Sequence, residues 1–431
     1  MITKEKFSKA KEIILKRHLC LDIPEDDYDV IVTIPVLADE NIFETLDSIG
    51  KAINPEKIRI CVFLLVNEPS NSDDKTKEKN KNIYESLKDK KQISDDIKLV
   101  VRYVQNIPSK LAGAGFARRL LMDETICMFE RLLRRKKTND MDLFRHKTII
   151  SVDSDCIVSE NYFDSLKNIR DFGVFLFSHR FSDVPEIKEA GMFWELFLRY
   201  WRNSLRISGY DFSFYPIGSL FAFRTSVYII TGGMNTKKGG EDFYFMQKVT
   251  PYFSTDDLPA YVFPKAEPSE RTPFGTGMEI RAYIQGKKDR ITKTWRFEAF
   301  EEIGEIFRNP ERGSKNEFFR EFLKLNRKYQ LQLDHIKSMS KDEQDFIKKF
   351  RTWLNPFKVF KILRFSEIVF GKSSIEIEAE KLISKILSNE NKDEKNKLVS
   401  YPIGKTTENS DITSKLEFLR RYDESNLHRV N

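Results

Sequence analysis

Short apolar runs rich in β-formers alternate with helix-like stretches between Asp29 and about Tyr261, and this alternation restricts the possible folds more than any other feature. The predicted strands are residues 30–34, closed by Pro35, and residues 58–66, 99–104, 148–153 and 173–177. Residues 42–53 and 113–134 have the spacing of intervening helices. This rhythm predicts an α/β domain with a Rossmann-like, mostly parallel sheet and helices on both faces.

The character of the chain changes near Phe297, beyond which lie long helical patterns with few glycines. A length of 431 residues is too great for one ordinary core. We therefore predict an N-terminal helical segment (residues 1–28), an α/β domain (29–297) and a helical C-terminal region (298–431). A polar stretch near 388–414, with Pro402 and Gly404, is predicted to be loop or partly disordered.

The bulk composition excludes several classes of protein. It is 40% hydrophobic and 32% charged, which is typical of a globular chain. No apolar run approaches the roughly 18 residues of a membrane span, and the N-terminus lacks the apolar core of a secretory signal. The four cysteines include no Cys-x-x-Cys pair. We therefore expect a reduced, cytoplasmic protein without a zinc site.

Most of the net charge of +7 lies in one segment, residues 346–372, which has seven basic residues and one acid, Glu367. The rest of the chain is close to neutral, which argues against a nucleic-acid-binding surface. Residues 346–370 also interleave aromatic side chains with the basic ones. They could lie on an anionic membrane as a peripheral contact, or dock their aromatic face on the protein with the lysines in solvent. The second interpretation is favoured.

Asp153-Ser154-Asp155 follows a predicted buried strand, Thr148–Val152. Residues i and i+2 of a strand point to the same side, so both carboxylates can face one ligand. They lie at the carboxyl end, where ligands bind in open α/β sheets. Two carboxylates there suit a hard divalent cation that also binds a phosphate. Two other Asp-x-Asp triplets, 27–29 and 140–142, lack this context.

The glycine-rich stretch 111–119 opens a predicted helix and contains Gly113 and Gly115. Such glycines allow close approach of a backbone or a ligand, and a helix N-terminus favours phosphate. The alternative is that these small residues pack against the sheet. Both interpretations remain open, and Arg118 is the residue expected to contact a ligand directly.

Glu241 and Asp242 follow Gly239-Gly240 and open another predicted helix. Acids in a first helical turn complement the helix dipole, which is a purely structural explanation. A carboxylate held at a helix start can also serve as a general base facing a cleft.

Arg271 begins a turn-like stretch, Arg271-Thr272-Pro273-Phe274-Gly275-Thr276-Gly277. An arginine beside such a turn can neutralise a leaving diphosphate through bidentate hydrogen bonds. Taken alone, the stretch is more typical of an ordinary surface turn.

Together these blocks resemble the family 2 glycosyltransferases, which have the GT-A fold and are inverting, nucleotide-sugar-dependent enzymes. The resemblance covers about residues 29–277 and not the C-terminal helices. Its blocks are Val32–Val36 with Asp39-Glu40, Gly115–Arg119 (with Arg119 where the family has Asn), Val152–Asp155, Gly232–Met234 with Gly240–Phe243, and Arg271–Gly277.

The resemblance implies transfer of a sugar to an acceptor hydroxyl, with a saccharide or lipid-linked acceptor, in bacterial polysaccharide or glycoconjugate synthesis. It implies Mg²⁺ or Mn²⁺ on Asp153 and Asp155, Asp242 as general base, Glu241 as an orienting group and Arg271 beside the leaving group. The residues implied to line the nucleotide site are Pro35, Asp39, Asn67, Arg118 and Asp153.

One position departs from the family pattern. Paired aspartates usually follow the second strand and meet the nucleotide base, whereas this chain has Asn67-Glu68. An amide presents a different set of donors and acceptors, so the identity of the base stays open. Two other functions are weighed: a sugar nucleotidyltransferase, in which the glycine-rich loop would follow the first strand rather than the third, and a non-catalytic protein of this fold.

Overall fold

The computed structural model describes residues 4–428 except 18, 20, 22, 25, 138–139, 271–272, 314, 391–397 and 399–407. Its strands are β1 Val30–Val36, β2 Ile60–Pro69, β3 Gln92–Ser94, β4 Ile97–Ile107, β5 Thr148–Ser151, β6 Ile157–Val158, β7 Phe172–Phe177, β8 Arg180–Phe181, β9 Phe221–Arg224, β10 Thr255–Phe263, β11 Lys265–Ala266, β12 Lys293–Trp295 and β13 Lys372–Ser374.

Nine of these strands form one sheet, in the order β3-β4-β2-β1-β5-β9-β7-β10-β6. Six of the nine, namely β4, β2, β1, β5, β7 and β10, point the same way. The strands β8 with β11, and β12 with β13, form two small pairs outside this sheet. The predicted α/β fold with a mostly parallel central sheet is confirmed.

The helices are α1 Lys4–Leu15, α2 Ile42–Lys51, α3 Asp74–Leu87, α4 Ala114–Lys136, α5 Asp140–His146, α6 Pro185–Ile207, α7 Thr225–Ile230, α8 Glu241–Val249, α9 Thr276–Ile284, α10 Asp289–Thr292, α11 Phe297–Arg308, α12 Pro310–Gly313, α13 Glu317–Leu325, α14 Arg327–Ser338, α15 Glu343–Trp353, α16 Pro356–Val369, α17 Ile375–Asn389 and α18 Glu408–Ser425. The helical C-terminal region is therefore confirmed. Most of the stretch predicted as loop near 388–414 lies outside the described residues, and α18 begins within it.

The sequence predicted that Pro35 closes the first strand. This prediction is wrong, because β1 continues to Val36. The backbone carbonyl of Thr33 accepts a hydrogen bond from Val152 on the β5 side. Alternate residues of a strand face the same neighbour, so the missing N–H of Pro35 points past the end of β5. No ladder hydrogen bond is lost there, so the strand tolerates a proline near its carboxyl end.

The C-terminal helices pack against the α/β part of the chain. Helices α11, α17 and α18 contact α6, and α16 contacts α8. One continuous hydrophobic cluster includes residues from all three predicted parts of the chain. The boundaries at 28 and 297 remain predictions, because nothing in this packing separates the parts.

The basic segment 346–370 turns its apolar face inward. Phe350, Leu354 and Leu363 are fully buried, whereas Lys361 and Arg364 are exposed. This arrangement agrees with the favoured interpretation, in which the aromatic face docks on the protein. Peripheral membrane contact remains a prediction. Among the described residues, no helix combines the length and the apolar composition needed to cross a membrane.

Candidate active site

The turn that carries Asp153-Ser154-Asp155 lies just past the carboxyl end of β5 and is held from two sides. The Ser154 hydroxyl donates to the Asp39 carboxylate (2.8 Å), and Asp39 follows the neighbouring strand β1. The Thr45 hydroxyl on α2 donates to the backbone carbonyl of Ser154 (2.8 Å). Asp39 and the Asp-x-Asp turn, predicted separately, therefore form one hydrogen-bonded unit at adjacent strand ends.

Arg118 joins this turn to the Glu241-Asp242 block. Its side chain is buried on the first turns of α4, and its guanidinium donates to the carboxylates of Asp153 and Glu241. Its Nε also donates to the Ser151 hydroxyl (3.2 Å). Burial alone would lower the pKa of Arg118, but the two carboxylates raise it above its usual range. Arg118 is therefore a fixed cation between two acidic motifs 88 residues apart in sequence, from position 153 to position 241.

Glycines make this arrangement possible. A Cβ at Gly115 would lie 2.3 Å from the backbone oxygen of Lys237, so the start of α4 packs against the loop before α8. A Cβ at Gly218 would lie 2.4 Å from an Nη atom of Arg118. Gly113 and Gly115 thus have a packing role, against the loop that leads to Glu241. Gly218 was missed, because a lone glycine in a loop gives no sequence signal.

Asp242 has the environment of a group that titrates near neutrality. Burial and the nearby Glu241 carboxylate raise its pKa to about 7, although Arg118 opposes the shift. Its carboxylate accepts a hydrogen bond from the backbone N–H of Phe243 (2.6 Å). A general base is most effective when its pKa lies near the working pH, so Asp242 suits that role.

The carboxylates of Asp153 and Asp155 could hold a hard divalent cation. One ligand atom from each, together with Cys156 Sγ, lies within 4.8 Å of the others. Burial, followed by the charges of Asp155 and Asp153, raises the pKa of the Cys156 thiol well above its usual range. A protonated thiol is a poor ligand, so the donor set reduces to carboxylate oxygens. These oxygens fit Mg²⁺ or Mn²⁺.

The other two Asp-x-Asp triplets have structural partners. Asp27 and Asp29 precede β1, at its amino end, and both pair with Lys147 at 2.8 and 3.0 Å. Burial raises the pKa of Asp27, but hydrogen bonds from lysine and arginine side chains outweigh it and lower the pKa. Asp142 is exposed and lies 3.9 Å from Arg145.

The end of β2 carries Asn67 and Glu68, both almost fully buried. The Glu68 carboxylate accepts from the Tyr103 hydroxyl and from the Asn80 amide (3.5 Å). The Asn80 carbonyl accepts from the Ala38 N–H (2.8 Å), and Ala38 has a left-handed backbone with φ of 50°. Asn80 thereby fixes the loop that leads to Asp39. It was missed because its helix has the sequence of an exposed one.

Arg271 completes the set of predicted site residues, and His179 lies near the turn that follows it. His179 is buried, and its ring contacts Glu195 (3.1 Å) and Thr276 (3.4 Å), which indicates a structural role. Arg271 lies outside the described residues. Pro273 and Phe274, just after it, approach Gly239 so closely that a Cβ there would meet them at 3.1–3.2 Å. The turn that follows Arg271 therefore borders the loop before Glu241.

No protein-family model matches this chain. No curated protein matches it either. Among solved structures, residues 1–349 of TarS from S. aureus in complex with UDP-GlcNAc match with 15% identity and a TM-score of 0.35, over 93% of this chain and 92% of that one. The mannosyltransferase PcManGT from Pyrobaculum calidifontis, in complex with GDP-Man and Mn²⁺, matches with 13% identity and a TM-score of 0.35, over 98% and 93%. Similarity this low carries no argument about the function of this chain.

Proposed function

We propose that this chain is a glycosyltransferase that moves a sugar from a nucleotide-diphosphate sugar to an acceptor hydroxyl. One observation carries the proposal. The buried Arg118 holds the Asp153-Ser154-Asp155 turn and the Glu241-Asp242 helix start in one site, and Asp242 there has a pKa of about 7. A carboxylate pair that can hold a divalent cation on a diphosphate, beside a base that titrates near neutrality, suits glycosyl transfer to a hydroxyl.

The proposed reaction is a single displacement that inverts the anomeric carbon. The acceptor oxygen forms a bond to that carbon while its proton passes to the Asp242 carboxylate. The bond from the anomeric carbon to the diphosphate oxygen breaks, and the nucleoside diphosphate leaves with the electron pair. Glu241, buried against Arg118, keeps the first turn of α8 in place and raises the pKa of Asp242.

Asp153 and Asp155 are the residues proposed to hold Mg²⁺ or Mn²⁺. When bound, such an ion neutralises negative charge on the departing diphosphate. Arg271 is proposed to lie beside the same leaving group. Asp153 also pairs with Arg118, so its loss would disturb the contact between the two acidic blocks, and the cation site is tested at Asp155.

The donor nucleotide is proposed to lie at the carboxyl ends of β1 and β2, in contact with Pro35, Asp39 and Asn67. Arg118 is proposed to form the opposite side of this nucleotide site. This proposal follows the resemblance to family 2 glycosyltransferases of GT-A fold. From the same resemblance we propose a cytoplasmic role in polysaccharide or glycoconjugate synthesis. Support from the fold is the position of these residues at neighbouring carboxyl ends of a parallel sheet, where ligands of open α/β sheets bind.

Replacing Asp155 with alanine is expected to abolish the Mn²⁺ dependence of nucleotide-sugar binding, because one of the two proposed oxygen ligands is lost. Calorimetric titration of a panel of nucleotide sugars, with Mn²⁺ and with a chelator, measures this dependence. Asp142→Ala is the matched control, since Asp142 is exposed in another Asp-x-Asp triplet. Equal donor affinity in wild type with and without Mn²⁺ would rule out the metal assignment.

A further inference from the structure

The solvent side of helix α16 combines exposed apolar side chains with basic ones. Lys361, Arg364 and Ile368 are exposed and follow one another at intervals of three and four residues, so they lie along one side of the helix. Val369, the last residue of the helix, and Lys372 just beyond it are also exposed. Ile368 is 78% exposed, the largest value for a large apolar side chain among the described residues, and Val369 is 50% exposed. We call these five residues the outer face of α16.

The inner side of the same helix is firmly attached to the protein. Leu363 is fully buried. In the last turn, the Glu367 carboxylate accepts a hydrogen bond from the Trp295 indole (2.9 Å), and the centroid of the Phe370 ring lies 5.3 Å from that of Phe318. The two exposed apolar side chains between these anchors are therefore held outward by a fixed backbone and not by fraying of the helix end.

The helices around α16 carry the positive charge of the protein. Residues 311–372, from α12 to the start of β13, include 15 basic and eight acidic side chains, which gives a net charge of +7. The whole chain has the same net charge of +7, so the rest of it is neutral. Leu325 on α13 and Leu331 on α14, within the same segment, are 70% and 59% exposed. Excess positive charge and exposed apolar side chains therefore occur in one part of the chain.

This combination matches the chemistry of an anionic membrane surface. Basic side chains are attracted to anionic headgroups, and apolar side chains beside them enter the boundary between headgroups and acyl chains. A nucleic acid would neutralise the charge but would offer no apolar layer to Ile368 and Val369. A second copy of the chain would bring the same positive charge against this face, and like charges across an interface repel.

We propose that the outer face of α16 docks on an anionic membrane surface. Lys361, Arg364 and Lys372 bind the lipid headgroups, and Ile368 and Val369 enter the layer beneath them. The inner, aromatic side of the segment keeps its contacts with the protein, so the two sides of one helix have different partners. Membrane binding of this kind goes beyond the proposed function and is measured without any substrate.

Docking would also bring the proposed active site close to the lipid surface. The ring of Phe360 on α16 lies 6.0 Å from that of Phe243 on α8, and Phe243 is the residue after Asp242. Ile368 follows Phe360 by about two helical turns, which is about 12 Å along the helix axis. This arrangement favours an acceptor that is attached to a lipid.

The test measures flotation of the full chain with vesicles of phosphatidylglycerol and with vesicles of phosphatidylcholine. Wild type is expected to bind the anionic vesicles at least about 10-fold more tightly, and added salt should weaken this binding. The triple variant Lys361→Gln/Arg364→Gln/Lys372→Gln should lose about 100-fold in affinity, since each basic side chain near the surface contributes roughly 5-fold. Ile368→Ser should weaken binding by roughly 10-fold through the loss of apolar burial.

Two control variants match these changes at other exposed positions. Lys75→Gln/Lys77→Gln/Lys81→Gln removes the same charge from α3. Ile13→Ser makes the same apolar change on α1, where Ile13 is 61% exposed. Both controls should bind anionic vesicles as wild type does. Thermal melting of every variant separates lost binding from lost folding.

Three results would overturn the inference. The first is equal binding of wild type to the two kinds of vesicle, and the second is an equal loss of binding in the α16 and α3 triple variants. The third is a change of oligomeric state in the α16 variants, measured by analytical ultracentrifugation, with vesicle binding unchanged. Mn²⁺-dependent nucleotide-sugar binding is measured in parallel and should survive in the α16 variants. Vesicle binding without any nucleotide-sugar binding would contradict the proposed function and support this inference.

Discussion

The Asp242→Asn variant is expected to transfer sugar about 10²–10⁴-fold more slowly than wild type, since general base catalysis contributes that much. Asparagine keeps the shape of the side chain but cannot accept the proton of the acceptor hydroxyl. Steady-state release of nucleoside diphosphate in the presence of acceptor measures the effect. Nucleotide-sugar affinity should survive in the variant, because Asp242 is not among the residues proposed to bind the nucleotide.

The same assignment has a pH signature. With a pKa of about 7, the wild-type rate should rise with pH up to about 7 and then level off, as the base loses its proton. The free energy of unfolding is expected to change with pH in the opposite direction to the rate. Because the pKa of Asp242 is raised in the folded state, this group contributes stability that is complete below about pH 4 and is lost as pH rises towards 7. Asp242→Asn should therefore remain folded at pH 8. A near wild-type turnover in this variant contradicts the base assignment.

Asp423→Ala is expected to lower the free energy of unfolding by about 1.5–3 kcal/mol, because buried charged hydrogen bonds are lost, although Arg199 keeps Glu195 and Arg202 keeps Asp257 as partners. The Asp423 carboxylate is 1% exposed. It accepts from Arg199, from Arg202 (3.3 Å) and from the Tyr215 hydroxyl (2.6 Å). This one residue of α18 thus neutralises charge on α6. A loss of this size is a large fraction of a typical total of 5–15 kcal/mol.

Urea unfolding followed by circular dichroism measures the loss. Glu424→Gln is the matched control, since Glu424 is the next residue and is exposed. Exposed polar changes usually cost less than about 1 kcal/mol. An Asp423→Ala variant as stable as this control would show that α18 is not anchored through its carboxylate.

Five of the six parallel strands were predicted, because their signal is local, whereas β10 was missed. Continuous apolar runs such as that of β2, which is buried on both faces, differ plainly from the flanking polar stretches. Strand β9 was missed because its four residues pass as part of a loop, although it lies between β5 and β7 and pairs antiparallel with both. Helix α6 was missed for a different reason. Its inward face carries Glu195, Arg199 and Arg202, so charged residues stand where apolar ones are expected.

The residues of the site were found more readily than the contacts between them. Asp153 and Asp155 could be chosen by their strand context, and Glu241 and Asp242 by their position at a helix start. Ser151 could have been found too, since it lies two residues before Asp153 on the same side of the strand. The bonds from Arg118 to both acidic blocks could not be foreseen, because they depend on how α4 and α8 pack together.

The central claim is tested most directly by the product that the full chain releases in Mn²⁺. Each member of a nucleotide-sugar panel is incubated with the protein, and in parallel nucleoside triphosphates are incubated with sugar phosphates. The account predicts release of nucleoside diphosphate from at least one nucleotide sugar, lost in Asp155→Ala and kept in Asp142→Ala. Release of pyrophosphate from a triphosphate and a sugar phosphate, or no diphosphate from any nucleotide sugar, would contradict it.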